Sequence, residues 1–191
     1  MDSKLKFKEY YRRNLPHYQQ HESIFFVTTR LFFQLPEKLR KQLYEHRKAK
    51  QDFFLDFDKI LANLSDSPKW LAIEKVRETV KEALHYNENK RYLLYAYCLM
   101  PNHIHILLQP ISGNSLSKIM HSLKSYTAHQ LKQIISYDKY FWQSENYDHL
   151  IRNNDDLINS TNYIINNPVK AGLVESWQDW KGTYYNSVMF E

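Results

Sequence analysis

Tyr92-Leu93-Leu94-Tyr95-Ala96-Tyr97-Cys98-Leu99-Met100-Pro101-Asn102-His103-Ile104-His105-Ile106-Leu107-Leu108-Gln109 is the stretch that decides how this chain is read. It reads as two apolar strands joined by a short Met-Pro-Asn interruption. Successive strand side chains point to opposite faces. His103 and His105 therefore share one face of the second strand, and Ile104, Ile106 and Leu108 cover the other. Two imidazoles one strand repeat apart can share a divalent cation and leave positions open for substrate oxygens or a third ligand. Alone, such a pair more often marks two ordinary half-buried histidines, so the neighbouring elements have to decide.

Downstream, residues 115–135 carry a helical period, with Leu116, Met120, Leu123, Thr127, Leu131 and Ile134 as the apolar stripe. Ser115 is placed to cap its start. Tyr126 and Gln130 lie at i and i+4 on the edge of that stripe, so a phenol and an amide oxygen are expected to face the sheet together.

Composition bounds the rest. The chain has 191 residues and 43% hydrophobic content, enough for one sizeable core, and a single domain over 1–191 is expected. Three glycines and six prolines argue against linkers and collagen-like repeats. No apolar run is long enough to span a membrane, and the N-terminus lacks a signal-peptide core. Cys98 is the only cysteine, which excludes an intramolecular disulfide and fits a small buried hydrophobe in a cytoplasmic protein. The net charge of +5 suits a polyanionic partner. Its distribution is uneven: Lys4, Lys6, Lys8, Arg12 and Arg13 crowd a basic, aromatic arm at 1–22, and a second basic block spans 38–50. Phosphate contact with base stacking fits basic blocks interleaved with aromatic residues.

Ser23–Arg30 reads as a β-branched and aromatic strand, and a helical insertion over 32–66 follows, with Pro36 opening a charged helix to about Lys48 and Phe53, Phe54, Phe57, Ile60 and Leu61 as the apolar residues of a second short one over Asp52–Asn63. A helix follows over roughly 68–86, then the strand pair, then the 115–135 helix. Asp148–Arg152 is a short strand that completes the sheet. A last helix starts at Asn153 and is expected to stop at Asn167-Pro168, with Lys170-Ala171-Gly172 as the turn after it. The order β-α-β-β-α-β predicts an α+β, ferredoxin-like antiparallel sheet with helices packed on one face, plus the helical insertion and a C-terminal helix.

Met100-Pro101-Asn102-His103-Ile104-His105 followed by Lys124-Ser125-Tyr126 resembles the single-tyrosine HUH transposases, in particular the REP-associated tyrosine transposases related to the IS200-like group. The resemblance extends to Tyr10–Tyr18, Phe26–Leu31 and Tyr163–Val174, and so covers nearly the whole chain. It implies the same fold and metal-dependent cleavage and rejoining of single-stranded DNA near hairpins through a 5′-phosphotyrosine. Tyr126 matches the nucleophile, His103 and His105 the metal ligands, and Gln130 a third ligand, for Mg²⁺ or Mn²⁺. Arg12, Arg13, Lys124 and Arg152 are the expected DNA contacts. The partner is single-stranded or hairpin DNA, with no membrane. Relatives differ in whether they act as monomers or as homodimers that exchange tyrosine helices. A domesticated protein that binds or processes chromosomal hairpin repeats without autonomous transposition would share all these residues. An unrelated HxH metallohydrolase would be expected to supply further acidic or histidine ligands, which this region lacks.

Overall fold

A computed structural model of the chain describes residues 23–37, 66–111, 113–137 and 139–190, with short pieces at 11–12, 16–17, 39, 41, 60–61 and 64. Most of the expected insertion at 32–66, and most of the basic arm at 1–22, lie outside the described residues. In the arm, Tyr11–Arg12 pairs antiparallel with Pro16–His17.

Strands β1 (Phe25–Arg30), β2 (Tyr92–Leu99), β3 (His103–Pro110), β4 (Tyr147–Leu150) and β5 (Thr183–Tyr185) form one antiparallel sheet. Their spatial order is β4-β1-β3-β2-β5, so the strand that carries the histidine pair is the middle one. With α1 (Glu74–Tyr86) and α2 (Leu116–Leu131) the first four strands make the β-α-β-β-α-β arrangement, and α3 (Asn154–Lys170) follows.

The alternation of β3 divides the sheet into two faces. Ile104, Ile106 and Leu108 join Val27, Leu94 and Leu99 in a core closed by Val76, Val80 and Leu84 of α1 and Leu116, Met120 and Leu123 of α2. On the opposite face Phe26, Cys98, Met100 and Leu107 pack with Ile164, and with partly buried Leu157 and Tyr163, all three from α3. Two helices thus cover one face and the C-terminal helix covers the other. Cys98 is buried, as its apolar setting predicts.

Local chemistry sets the helix ends. Ser115 accepts from the Lys118 N–H and Asn153 from the Asp156 N–H, the N-cap bonds expected of these residues. Helix α3 runs past the expected stop: Pro168 sits inside its last turn. Proline there removes an N–H from the ladder, yet the next turn still closes, with the Ala171 N–H on the Asn167 carbonyl. Just past the helix end the Gly172 N–H reaches the Val169 carbonyl, and the glycine's φ of 67° turns the chain so that the Leu173 N–H reaches the Pro168 carbonyl. β2 carries a bulge between Leu94 and Ala96, which puts Tyr95 and Ala96 both on the α3 side. Gly182 lets β5 approach: a Cβ there would lie 2.7 Å from the Leu99 carbonyl oxygen and 2.6 Å from Trp180 Nε1.

Ile106 has no exposed surface, whereas Ile158 on α3 is 51% exposed. Truncating Ile106 to alanine should cost about 2–5 kcal/mol of unfolding free energy in urea. Ile158→Ala should stay within about 0.5 kcal/mol of wild type. Equal losses would contradict the central position of β3.

Candidate metal and nucleophile site

His103 and His105 leave β3 on the α3 side of the sheet, both almost fully buried. Their Nε2 atoms converge to 3.1 Å. The remaining ring nitrogens are each held. Asn102 Nδ2 donates to the Leu61 carbonyl and to Ser67 Oγ, both at 2.8 Å. That orients the Asn102 amide so that Oδ1, which can only accept, lies 2.6 Å from His103 Nδ1. His103 therefore carries its proton on Nδ1 and presents a lone pair at Nε2. His105 Nδ1 lies 2.9 Å from Thr28 Oγ1, and donation to that hydroxyl frees the His105 Nε2 lone pair in the same direction. Phe26 stacks on the His105 ring at 5.5 Å and 18°, fixing its plane.

The next polar group comes from α3. Asn167, buried and one turn from the helix end, has its amide nitrogen 3.3 Å from His105 Nε2. A half-turn of the amide exchanges N and O and turns Oδ1 toward the same point. Two nitrogens at right angles around an ion ~2.1 Å away stand about 3.0 Å apart, and the observed 3.1 Å matches that spacing. Two imidazoles and an amide oxygen fit a cation that keeps further positions for water and phosphate oxygens. Among the described residues no three His, Cys, Asp or Glu side chains gather to hold a metal, and the Asn167 amide is the polar group that lies beside the pair.

One turn before Asn167, half-buried Tyr163 places its ring 5.7 Å from that of His105. Phe26 meets the phenol ring edge-on at 6.0 Å. The Lys170 ammonium lies 4.8 Å from its centroid. Tyr163, Asn167 and Lys170 are spaced i, i+4 and i+7, so they form one line along α3.

The structure does not bring Tyr126 or Gln130 to the histidines. Both lie on α2, which packs on the Ile104 side of β3, and Tyr126 is 55% exposed. Lys124 donates to the Ser144 carbonyl at 2.9 Å and to Asn146 Oδ1 at 2.7 Å, and burial pushes its pKa down to about 8. Arg152 is exposed just before α3, its backbone N–H bound to Asp156. Arg12 sits in the short N-terminal ladder, and Arg13 lies outside the described residues. Reading Asn167-Pro168 as a helix stop hid the Tyr163–Asn167 pair, although its i, i+4 spacing is the one that drew attention to Tyr126 and Gln130.

A family model described as "Transposase IS200 like" matches residues 67–167, more than half of the chain. The chain belongs to the IS200-like transposase family. The matched span contains both histidines and ends at Asn167. Over 95 residues the chain is 37% identical to a Haemophilus influenzae protein assigned to the REP-associated tyrosine transposases, covering 44% of this chain and 54% of that protein. A REP-associated tyrosine transposase of Escherichia coli K12 is 30% identical over 104 residues, covering 52% of this chain and 59% of the relative. The chain thus spans little more than half the length of these relatives. Its fold is also that of a solved REP-associated tyrosine transposase bound to a REP hairpin, with a TM-score of 0.58 and 20% identity over 92% of this chain and 82% of the other. Among the described residues no helix is long and apolar enough to cross a membrane.

Thr28→Val keeps shape but removes the hydroxyl that faces His105 Nδ1. Loss of such an outer partner weakens metal binding about 10–100-fold. Calorimetric titration with Mn²⁺ should show that loss with the fold intact; unchanged affinity would remove Thr28 from the support of the site.

Proposed function

We propose that this IS200-like chain is a metal-dependent single-stranded DNA transesterase whose nucleophile is Tyr163, in place of Tyr126. His103, His105 and Asn167 hold Mg²⁺ or Mn²⁺ in this reading, in place of a set completed by Gln130. The observation that carries it is the convergence of His103 Nε2, His105 Nε2 and the Asn167 amide on the sheet face that also holds Tyr163.

The phenolic oxygen of Tyr163 attacks a backbone phosphorus. A phosphorus–phenolic oxygen bond forms, the bond to the 3′ oxygen breaks, and a 5′-phosphotyrosine and a free 3′-hydroxyl result. Attack by a 3′-hydroxyl on that ester reverses the step and joins strands without nucleotide hydrolysis. A bound cation supplies polarisation of the phosphate and orientation of its oxygens. The chain's own residues supply the positioning. Phe26 and His105 set the plane and edge of the Tyr163 ring, and Lys170 places a positive charge against its face, close to where a phosphate would sit. Tyr163 stands beside the histidines of its own chain, so the reading requires no exchange of helices between subunits. The partner in this reading is DNA with a hairpin and a single-stranded flank, supported by the net charge of +5 and by the hairpin complex of the solved relative.

Incubating the protein with single-stranded DNA and Mn²⁺ should give a covalent complex that survives denaturation and maps to the peptide containing Asn162-Tyr163-Ile164. Tyr163→Phe should abolish both cleavage and adduct, and chelator should do the same. Tyr126→Phe should keep cleavage within about twofold of wild type, since surface changes away from a site are nearly neutral. An adduct on Tyr126, or cleavage that persists in Tyr163→Phe, would overturn the assignment.

A further inference from the structure

An open groove of about 1050 Å³ lies on the side of the sheet away from the histidines, between the outer flank of α2 and residues 139–148. Five Lys or Arg side chains line it, Arg91, Lys118, Lys124, Lys132 and Lys139, against the two carboxylates of Glu145 and Asp148. Lys118, Ser125 and Lys132 recur at seven-residue intervals, which draws a line along α2 about 21 Å long. A polar outer stripe is what any amphipathic helix shows to water, so the stripe alone carries nothing.

The opposite wall adds what a solvated helix does not need. Tyr140 is 55% exposed, yet its ring is pinned edge-on against Phe32 at 5.2 Å, with the Lys139 ammonium 5.5 Å from its centroid. The wall is tied to α2 at two points. Lys124 bonds Ser144 and Asn146, and Trp142 Nε1 donates to Thr127 Oγ1 at 2.8 Å. The groove is therefore preformed, with Lys118 and Lys132 along α2 and the Tyr140 ring, beside Lys139, on the opposite wall.

We propose that this groove is a second binding site for single-stranded DNA, which holds a part of the strand that is not being cut. Cations along a groove neutralise backbone phosphates, and an exposed ring takes the face of an unpaired base. A duplex keeps its bases stacked inside and cannot use Tyr140. An acidic peptide would use the cations but has no base to lay on the ring. The inference rests on the reading of the chain as a DNA-processing protein, although not on which tyrosine attacks. It adds to that reading a contact separated from the histidines by the sheet itself.

The test is anisotropy of a fluorescent oligothymidylate, and of a blunt duplex of equal length, bound to the full chain in chelator over a salt series. Charge reversal in Lys118→Glu/Lys132→Glu should weaken oligothymidylate binding about tenfold and flatten its salt dependence. Tyr140→Ala should cost the oligothymidylate several-fold and leave the duplex unchanged. Lys75→Glu/Lys81→Glu, on α1 and outside the groove, changes the net charge by the same amount and serves as the control. Wild-type affinity in the groove variants would overturn the proposal. So would losses matched by the control pair, or losses equal on both DNAs. Because no cleavage occurs in chelator, failure of the Tyr163 assignment would show only in the adduct experiment and leave this result standing.

Discussion

The two-residue repeat of the central strand is the constraint on which the structure depends. Ile104, Ile106 and Leu108 commit one face of β3 to the core beneath α1 and α2. His103 and His105 are thereby forced onto the other face, where α3 lies. A slip of one residue in register would put both imidazoles into the apolar core and the isoleucines beneath α3. The pairing of β3 with β1 through Thr28–His105 and Arg30–His103 fixes that register from the neighbouring strand. Packing and chemistry therefore cannot be separated here, since the same alternation sets both.

Around the histidines, orientation is passed outward through successive bonds. The Asn102 amide is set by Leu61 and Ser67, His103 by Asn102, and His105 by Thr28 and Phe26. Such partners fix the tautomer of each imidazole and aim its remaining lone pair. They also account for burying two imidazoles and two amides together, because each is hydrogen-bonded. Asn102 is thus more than the turn residue its place after Pro101 suggests.

Much of this was legible in the sequence. Period-two and helical patterns placed β1, β2, β3, α1 and α2, and the same-face geometry of His103 and His105 followed from residue spacing alone. What the pattern could not show was which face of the sheet each helix takes. Tyr126 and Tyr163 each precede an amide side chain by four residues on an amphipathic helix, and helical periodicity treats the two pairs alike. Only the path of the chain from α2 through β4 puts α3, and not α2, across the histidines. Pro168 added to the difficulty, because a proline reads as a helix stop, whereas α3 continues through it to Lys170. The bulge at Tyr95 was hidden for a similar reason: a run apolar on both faces does not reveal a change of phase.

The most direct test of the central claim is the anomalous scattering of Mn²⁺ in crystals of the full chain. The account predicts one strong peak on the α3 side of the sheet, about 2.1 Å from His103 Nε2, His105 Nε2 and Asn167 Oδ1, with the Tyr163 phenol opening onto the same ion. A manganese ion bound by the histidines with Asn167 turned away would contradict the account, as would an ion that recruits Gln130 and Tyr126.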